Sequence, residues 1–478
     1  MLCENANTCR PLPIYIGVML YAATRKKSII DRLFDLGLCV LYNRVLNLTD
    51  DLAAAVCKFY TDQNVVCPPQ LHRDLFTVAA VDNLDHNPSS NTSSDSFHGT
   101  AISLFQHPHG ETATAPVCEL DLSGIADRKD RPRLPTWYTN VPPDASRTRE
   151  SPVFCSAAVD ARNDSIALRS CPLEFQWLSE VRLLIENDAV GECMTWSAHH
   201  ATKSQSPSPK CLSAVLPLFP DPSHSTAMMK HAMNIALKAV EFINPGQSPV
   251  LACDQPLFAT AKQVQWTWPE LYSEYKIVTM LRVLHIEMAA LKAAGQWLAG
   301  SGWSDSLVHC GLATRGTAES YLNASHVKRA RYAHQVFVSA LFIMQRRAFA
   351  KCHPNEDVDF EAWCQSRCSS CPQFLYWSLT MELELAVLVF VRSLRQSDFE
   401  LYIEALDTLV PWFFALDRTN YSRWLSVHVY DMKSLKATNP SVYDSFKTGK
   451  FTFKAYIYFF IYIFIYIYIY IYIRYIIY

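Results

Sequence analysis

Two apolar runs of strand length, each stopped by an aspartate, set the tightest limit on the fold: "LFTVAAVD" at residues 75–82 and "SPVLACD" at residues 248–254. Both are too short for a helix of their own and are bounded by Pro, Gly or Asn, the pattern of strands buried on both faces. Such strands need a covering layer on each side of their sheet. The rest of the chain offers helices for that purpose. Residues 11 to 64 carry apolar positions at a spacing near 3.6, in "SIIDRLFDLGLCVLYNRVL" and "LTDDLAAAVCKFYTDQ", with Thr49 placed to cap the second helix. "PLEFQWLSEVRLLIEN" and "AMMKHAMNIALKAVEFINPG" repeat the pattern, the latter ended by Asn244, Pro245 and Gly246.

Two further strands are expected. "FHGTAISLFQ" follows the first run after the polar loop "DNLDHNPSSNTSSDS" and reads as its neighbour, while "YKIVTMLRVLHIE" leads into the helical "EMAALKAAGQWLAG". Residues 107 to 170 are rich in Pro, Asp, Arg and Ser and read as an inserted loop region. From Gly302 to about Met432 the spacing is helical almost throughout. The expected class is α/β with a large all-α portion: a ribonuclease H-like mixed sheet core, a helical N-terminal subdomain and a helical insertion. The divisions are 1–66 (helical), 67–300 (core, with a loop-rich insertion at about 107–170), 301–450 (helical) and 451–478 (a Tyr/Ile tail expected to be disordered or artefactual).

The two stopping acids carry the chemistry. In open α/β sheets the rim beyond the strand ends is rigid yet reachable. Carboxylates of Asp82 and Asp254 on adjacent strands, joined by a third acid, can hold Mg²⁺ or Mn²⁺ for phosphodiester displacement. That is the arrangement of ribonuclease H-like nucleases and DNA transposases. Glu287, in "VLHIEMAALK", follows the last expected strand and could supply the third carboxylate. Against this stand plain structural roles: an Asp ending a strand bonds turn amides, and a Glu in a first helical turn complements the helix dipole. Asp85 and His86 fall in an Asx-rich turn.

Several long segments resemble a high-copy family of uncharacterised animal proteins associated with mobile elements: "RPLPIYIGVMLYAATRKK", "VDNLDHNPSSNTSSDSFHGTAISLFQHP", "INPGQSPVLACDQPLFATAKQVQW", "LHIEMAALKAAGQWLAGSGW" and "PWFFALDRTNYSRWLSVH". The resemblance covers roughly residues 10 to 452. It implies a transposase-like ancestry and a further segment, beyond about Phe453, with an Asp and a His-Glu-Gln turn able to supply a late catalytic acid. This chain departs there, and the resemblance therefore implies a truncated copy with an incomplete site.

Other groups were weighed for ligands. With 43 basic and 45 acidic residues the net charge is −2, so a nucleic-acid surface must be local. "HVKRARYAHQ" places Lys328, Arg329, Arg331 and His334 near one another on a helix, with Arg346 and Arg347 further along, a stripe able to contact DNA phosphates; its plain alternative is a solvated face. Arg418 and Arg423 beside Tyr421 and Trp424 form a weak stacking motif. Cys352, Cys364, Cys368 and Cys371 lack the paired knuckles of a zinc site, which leaves zinc and bare thiols both open. His199 with His200, and His107 with His109, read as surface loops. No nucleotide-binding glycine loop is present, and no small-molecule cofactor is expected.

Sixteen cysteines without a regular framework fit reduced thiols in a nuclear or cytoplasmic protein, which leaves the sequons at Asn47, Asn91, Asn323 and Asn420 without meaning. The apolar stretch Ile14 to Ala23 is preceded by Glu4 and followed by Arg25, Lys26 and Lys27, so it reads as a helix with cations at its end rather than as a signal peptide.

The closing "AYIYFFIYIFIYIYIYIYIRYIIY" supports three readings. Residues 455–473 are uncharged and nearly long enough to cross a bilayer core of about 30 Å, giving a membrane anchor. Their period of two and their scattered tyrosines favour a cross-β strand instead. Since TAT encodes Tyr and ATA encodes Ile, a TA-dinucleotide repeat read in frame produces the same run. The expected function is thus a remnant of a mobile-element transposase-like protein that binds DNA and is inactive in truncated form. The alternatives are a non-catalytic helical interaction protein and a tail-anchored membrane protein.

Overall fold

The computed structural model describes residues 11–86, 97–107, 116–118, 133–144, 171–187, 195–203, 211–353 and 358–453. The expectations for the tail, for an anchor at 455–473, for His109 and for most of the insertion at 107–170 lie outside them. In chain order the elements are α1 (Pro11–Thr24), α2 (Lys27–Asp35), α3 (Tyr42–Gln63), β1 (Thr77–His86), β2 (Phe97–Gln106), α4 (Thr136–Thr139), α5 (Pro172–Glu186), α6 (Trp196–Lys203), β3 (Leu212–Val215), α7 (Thr226–Ile243), β4 (Val250–Cys253), α8 (Gln255–Thr267), α9 (Pro269–Tyr272) and β5 (Val278–Leu281). A run of helices follows: α10 (Val283–Leu298), α11 (Trp303–His309), α12 (Arg315–Tyr321), α13 (Val327–Cys352), α14 (Phe360–Ser370), α15 (Pro372–Gln396), α16 (Phe399–Ala415), α17 (Thr419–Thr438) and α18 (Pro440–Ser445). The protein is mostly helical with one small mixed sheet.

The chain forms two compact units that are discontinuous in sequence. The first takes Met1–Pro152, Ser208–Met280 and Phe453–Tyr478, and the second takes Val153–Pro207 and Leu281–Thr452. The helices expected as a separate piece at 1–66 thus group with the sheet, and α10, expected within 67–300, groups with the helical unit.

The first unit is built on the order β3-β2-β1-β4-β5. β1 runs antiparallel to β2 and parallel to β4, and β2 runs antiparallel to β3. Val78 to Val81 and all of β4 and β5 are buried, whereas β2 alternates Ile102 and Leu104 with half-exposed neighbours. Two glutamines stand in for missing strands. Thr77 N–H donates to Gln247 Oε1 (2.9 Å) and Gln247 Nε2 donates to the Thr77 carbonyl (2.7 Å). Gln106 serves the backbone of His72 in the same way, at 2.8 and 2.7 Å. Backbone groups that the sheet does not pair are thereby satisfied. Thr49 sits inside α3, not at its start, and returns its hydroxyl to the Val45 carbonyl (2.5 Å).

In the second unit α15 is the central helix, buried from Leu383 to Ser393. By length and mean hydropathy it could cross a membrane, with 56% of its apolar window buried against protein; core helices share that composition. α10 approaches the chain after α12 so closely that a Cβ on Gly295 would lie 2.1 Å from the Leu322 carbonyl oxygen. The helix begins at Val283, so the strand expected through Glu287 ends four residues after it starts, at Leu281.

Candidate functional site

The sheet brings two of the expected acids together. Val81 pairs with Cys253 across the parallel β1–β4 ladder. Asp82 follows Val81 within β1, which runs on through Asp85 to His86 instead of stopping at the acid or turning there, and Asp254 follows Cys253 as the first residue beyond β4, so each lies one position past the last paired residues of the ladder. Both are half-buried. The rim around them is polar. α7 has its last turn pinned to the start of β1, where Asp74 N–H donates to the Ile243 carbonyl (2.9 Å), so its first turn reaches the far end of that strand. There the Ser223 hydroxyl donates to Asn83 Oδ1 (3.1 Å), and Thr100, opposite Asn83 in the β1–β2 register, donates to the Asp221 carbonyl (2.7 Å). Asn83, Asp221 and Ser223 were not singled out from the sequence, because nothing in their local pattern places them at a sheet rim.

One of the two acids also has a structural task. Leu257 N–H donates to Asp254 Oδ1 (3.1 Å), which makes Asp254 the cap of α8. That is the plain role weighed above, and it occupies one carboxylate oxygen. Two hard carboxylates suit a magnesium-type ion, which keeps several waters and takes one or two protein carboxylates plus substrate phosphates. Among the described residues no group of three or more His, Cys, Asp or Glu side chains is placed to hold a metal ion.

Glu287 belongs to the second unit. It is buried and ion-paired with Arg331, whose Nη2 lies 2.5 Å from its Oε1. This pair accounts for two expected site residues at once: Arg331 turns inward. Lys328 and Arg329 remain exposed in the first turn of α13, where the positive end of the helix dipole adds to their attraction for an anion. His334 and Arg346 of the expected basic stripe are used in packing, while Arg347 is exposed. His334 is buried, 2.7 Å from Glu384 Oε1 and stacked on Trp303. The Arg346 guanidinium lies over the Phe360 ring at 3.6 Å. The aromatics of the stacking motif are used internally, since Tyr421 stacks on Phe413 and Trp424 is buried; Arg418 donates to the Lys292 carbonyl (2.8 Å) and Arg423 is exposed.

The largest departure from expectation is a buried ionic network in the second unit. Glu174, fully buried, receives Arg392 Nε on Oε1 (2.8 Å) and Nη2 on Oε2 (3.1 Å), while His200 Nε2 lies 3.4 Å from Oε1. His199 contacts Glu180 at 2.9 Å. His199 and His200 are therefore core groups of α6, not surface loop residues. Burial, aided by the charges of His199, Arg392 and Arg395, pushes His200 down to about 3. The sequence did carry a signal here: Glu174 falls on the buried stripe with Trp177 and Leu178, and Arg392 interrupts an apolar run. His107 is also buried, 3.4 Å from Cys211 Sγ. Burial raises the Cys364 thiol to about 11, the state of an inert thiol.

A family model described as "Domain of unknown function (DUF8702)" matches residues 195–357 and 355–469, more than half of the 478. The second match extends into the Tyr/Ile run. No curated protein and no solved structure matches the chain.

Proposed function

The chain belongs to the family described as Domain of unknown function (DUF8702), and from that premise we propose that it is a remnant of a mobile-element transposase-like protein with a ribonuclease H-like core. The observation that carries this reading is the register that sets Asp82, within β1, beside Asp254, the residue just past the end of β4, in a mixed sheet of order β3-β2-β1-β4-β5. Asp82 and the outer oxygen of Asp254 would hold Mg²⁺ or Mn²⁺, and such an ion supplies charge stabilisation to a phosphodiester undergoing displacement. Lys328 and Arg329 are the cations offered to DNA. Glu287 is bound to Arg331, so the third carboxylate is missing, and the reading includes weak or absent strand cleavage. A nuclear site follows from the DNA partner.

The test is Mn²⁺ titration of the full chain by electron paramagnetic resonance, together with nicking of supercoiled plasmid. Expected is Mn²⁺ binding that Asp82→Asn weakens at least tenfold, with nicking near background. Binding that is absent, or indifferent to Asp82→Asn and Asp254→Asn together, would discard the metal site and leave the second reading, a non-catalytic helical interaction protein. The cap role of Asp254 and the Glu287–Arg331 pair favour that second reading.

A further inference from the structure

The first helix poses a problem that the sheet rim does not touch. α1 has fourteen residues and not one charged side chain among them, yet only Pro13, Gly17, Tyr21 and Ala22 are buried. Tyr21 joins Ile30, Cys39, Val40 and Val45 in a small core, Gly17 lies against Val45 and Val40, and Ile14, Ile16, Val18 and Leu20 are partly buried against the same core. On the opposite side Leu12, Tyr15, Met19 and Ala23 fall at helical spacing, and Leu12 and Tyr15 are 54% and 51% exposed. The loop between α2 and α3 adds Leu36 at 70%, with Leu38 and Leu41 also exposed. A helix that is apolar all round is normally covered all round.

Length and charge identify the cover. At about 1.5 Å per residue, fourteen residues reach roughly 21 Å, too short to cross a bilayer core of about 30 Å. Apolar helices of this length are core helices, leader segments or interfacial segments. A core helix does not leave one side open, and a leader segment is not packed into the fold as α1 is by Gly17, whose missing Cβ would meet Val45 at 2.9 Å. Directly after α1 come Arg25, Lys26 and Lys27, with Lys26 and Lys27 exposed. Over residues 11–46, Arg25, Lys26, Lys27, Arg32 and Arg44 face only Asp31 and Asp35, in a chain whose net charge is −2.

We propose that α1, with Leu36, Leu38 and Leu41, is a docking surface for an anionic lipid membrane, entering the headgroup region in the plane of the interface while Lys26 and Lys27 meet the lipid phosphates and carboxylates. The apolar stripe supplies the inserted area and the cations supply the preference for negative charge. This is independent of the tail and of the metal site.

The experiment is co-sedimentation of the full chain with phosphatidylcholine vesicles, with and without phosphatidylserine. Expected is binding to the phosphatidylserine vesicles that falls with added salt. Lys26→Gln with Lys27→Gln should weaken it roughly thirtyfold, from about 1 kcal/mol per cation. Leu12→Ser with Tyr15→Ser should abolish it, with an unchanged far-ultraviolet circular dichroism spectrum because both side chains are exposed. The salt dependence of the unaltered chain keeps the test decisive even if a variant fails to fold. Equal binding to both vesicle types, or none to either, overturns the proposal. So does a dimer in sedimentation velocity that the Leu12/Tyr15 variant dissociates, since a second copy would then be the cover.

Discussion

Replacing Arg392 with Met should cost the second unit more than any other single change at a polar residue. The guanidinium makes two hydrogen bonds to Glu174, at 2.8 and 3.1 Å, and Glu174 has no exposure through which water could take over. Arg392→Met fills much of the same volume but leaves a buried carboxylate unpaired, which costs about 3–5 kcal/mol. In a unit of roughly 200 residues each kcal/mol moves the melting point by about 2–4 °C, so the expected drop is roughly 6–20 °C. Burial already raises the Glu174 pKa against the pull of Arg392. Without Arg392 it rises further, which fixes the sign of the pH dependence. A carboxyl whose folded pKa lies above its unfolded value is penalised only as pH climbs between the two values. The deficit should therefore be larger at pH 8 than at pH 5. Adding Glu174→Gln should recover most of the loss, because both buried charges are then gone. Urea unfolding followed by tryptophan fluorescence at the two pH values measures all of this. A loss under about 1 kcal/mol, a deficit that grows on acidification, or a double variant no better than the single one would refute the account.

Gly295→Ala should destabilise the second unit by about 1–3 kcal/mol or more, since the added methyl meets the Leu322 backbone rather than a side chain that can turn away; differential scanning calorimetry reads it. Asp254→Ala should cost about 1 kcal/mol through loss of the α8 cap, while Asp254→Ser keeps the cap and removes the carboxylate. Comparing Mn²⁺ binding and melting point of the two separates the structural role from the proposed metal role. His200, held down to about 3 by burial, stays neutral in the folded protein while the unfolded chain takes up its proton near 6.5. Stability should then fall as pH drops from about 6.5 toward 3, and His200→Gln should flatten that limb in urea titrations.

Local pattern carried much of the element assignment. β2 spans the residues of "FHGTAISLFQ", whose apolar positions alternate, and β4 is followed directly by Asp254, because a strand buried on both faces must be short, apolar and sharply ended. β3 was missed: "LSAV" is four residues long, and its pairing partner β2 lies more than a hundred positions earlier. The helix start at Val283 was missed for a related reason, since "VLHIE" satisfies strand propensity as well as helical spacing until β5 is given its neighbour. Of the site, the acid directly after β4 was legible as a strand end, whereas β1 runs past Asp82 to His86, because its pairing with β2 carries the strand through the polar residues. The fates of Glu287, Arg331, His334 and Arg346 were not legible, because each depends on a partner 14 to 50 positions away.

What the sequence determined by itself is the set of short-range choices: which stretches are helix or strand, and where an acid or an arginine falls on an apolar face. Those follow from backbone sterics and from a periodicity of a few residues. Only the tertiary structure decided which charges are spent. Arg331 looks like Lys328 and Arg329 in the sequence, yet burial obliges it to bind Glu287, while those two stay in water. A charge taken out of water must find a partner, and where that partner stands is set by how distant helices pack.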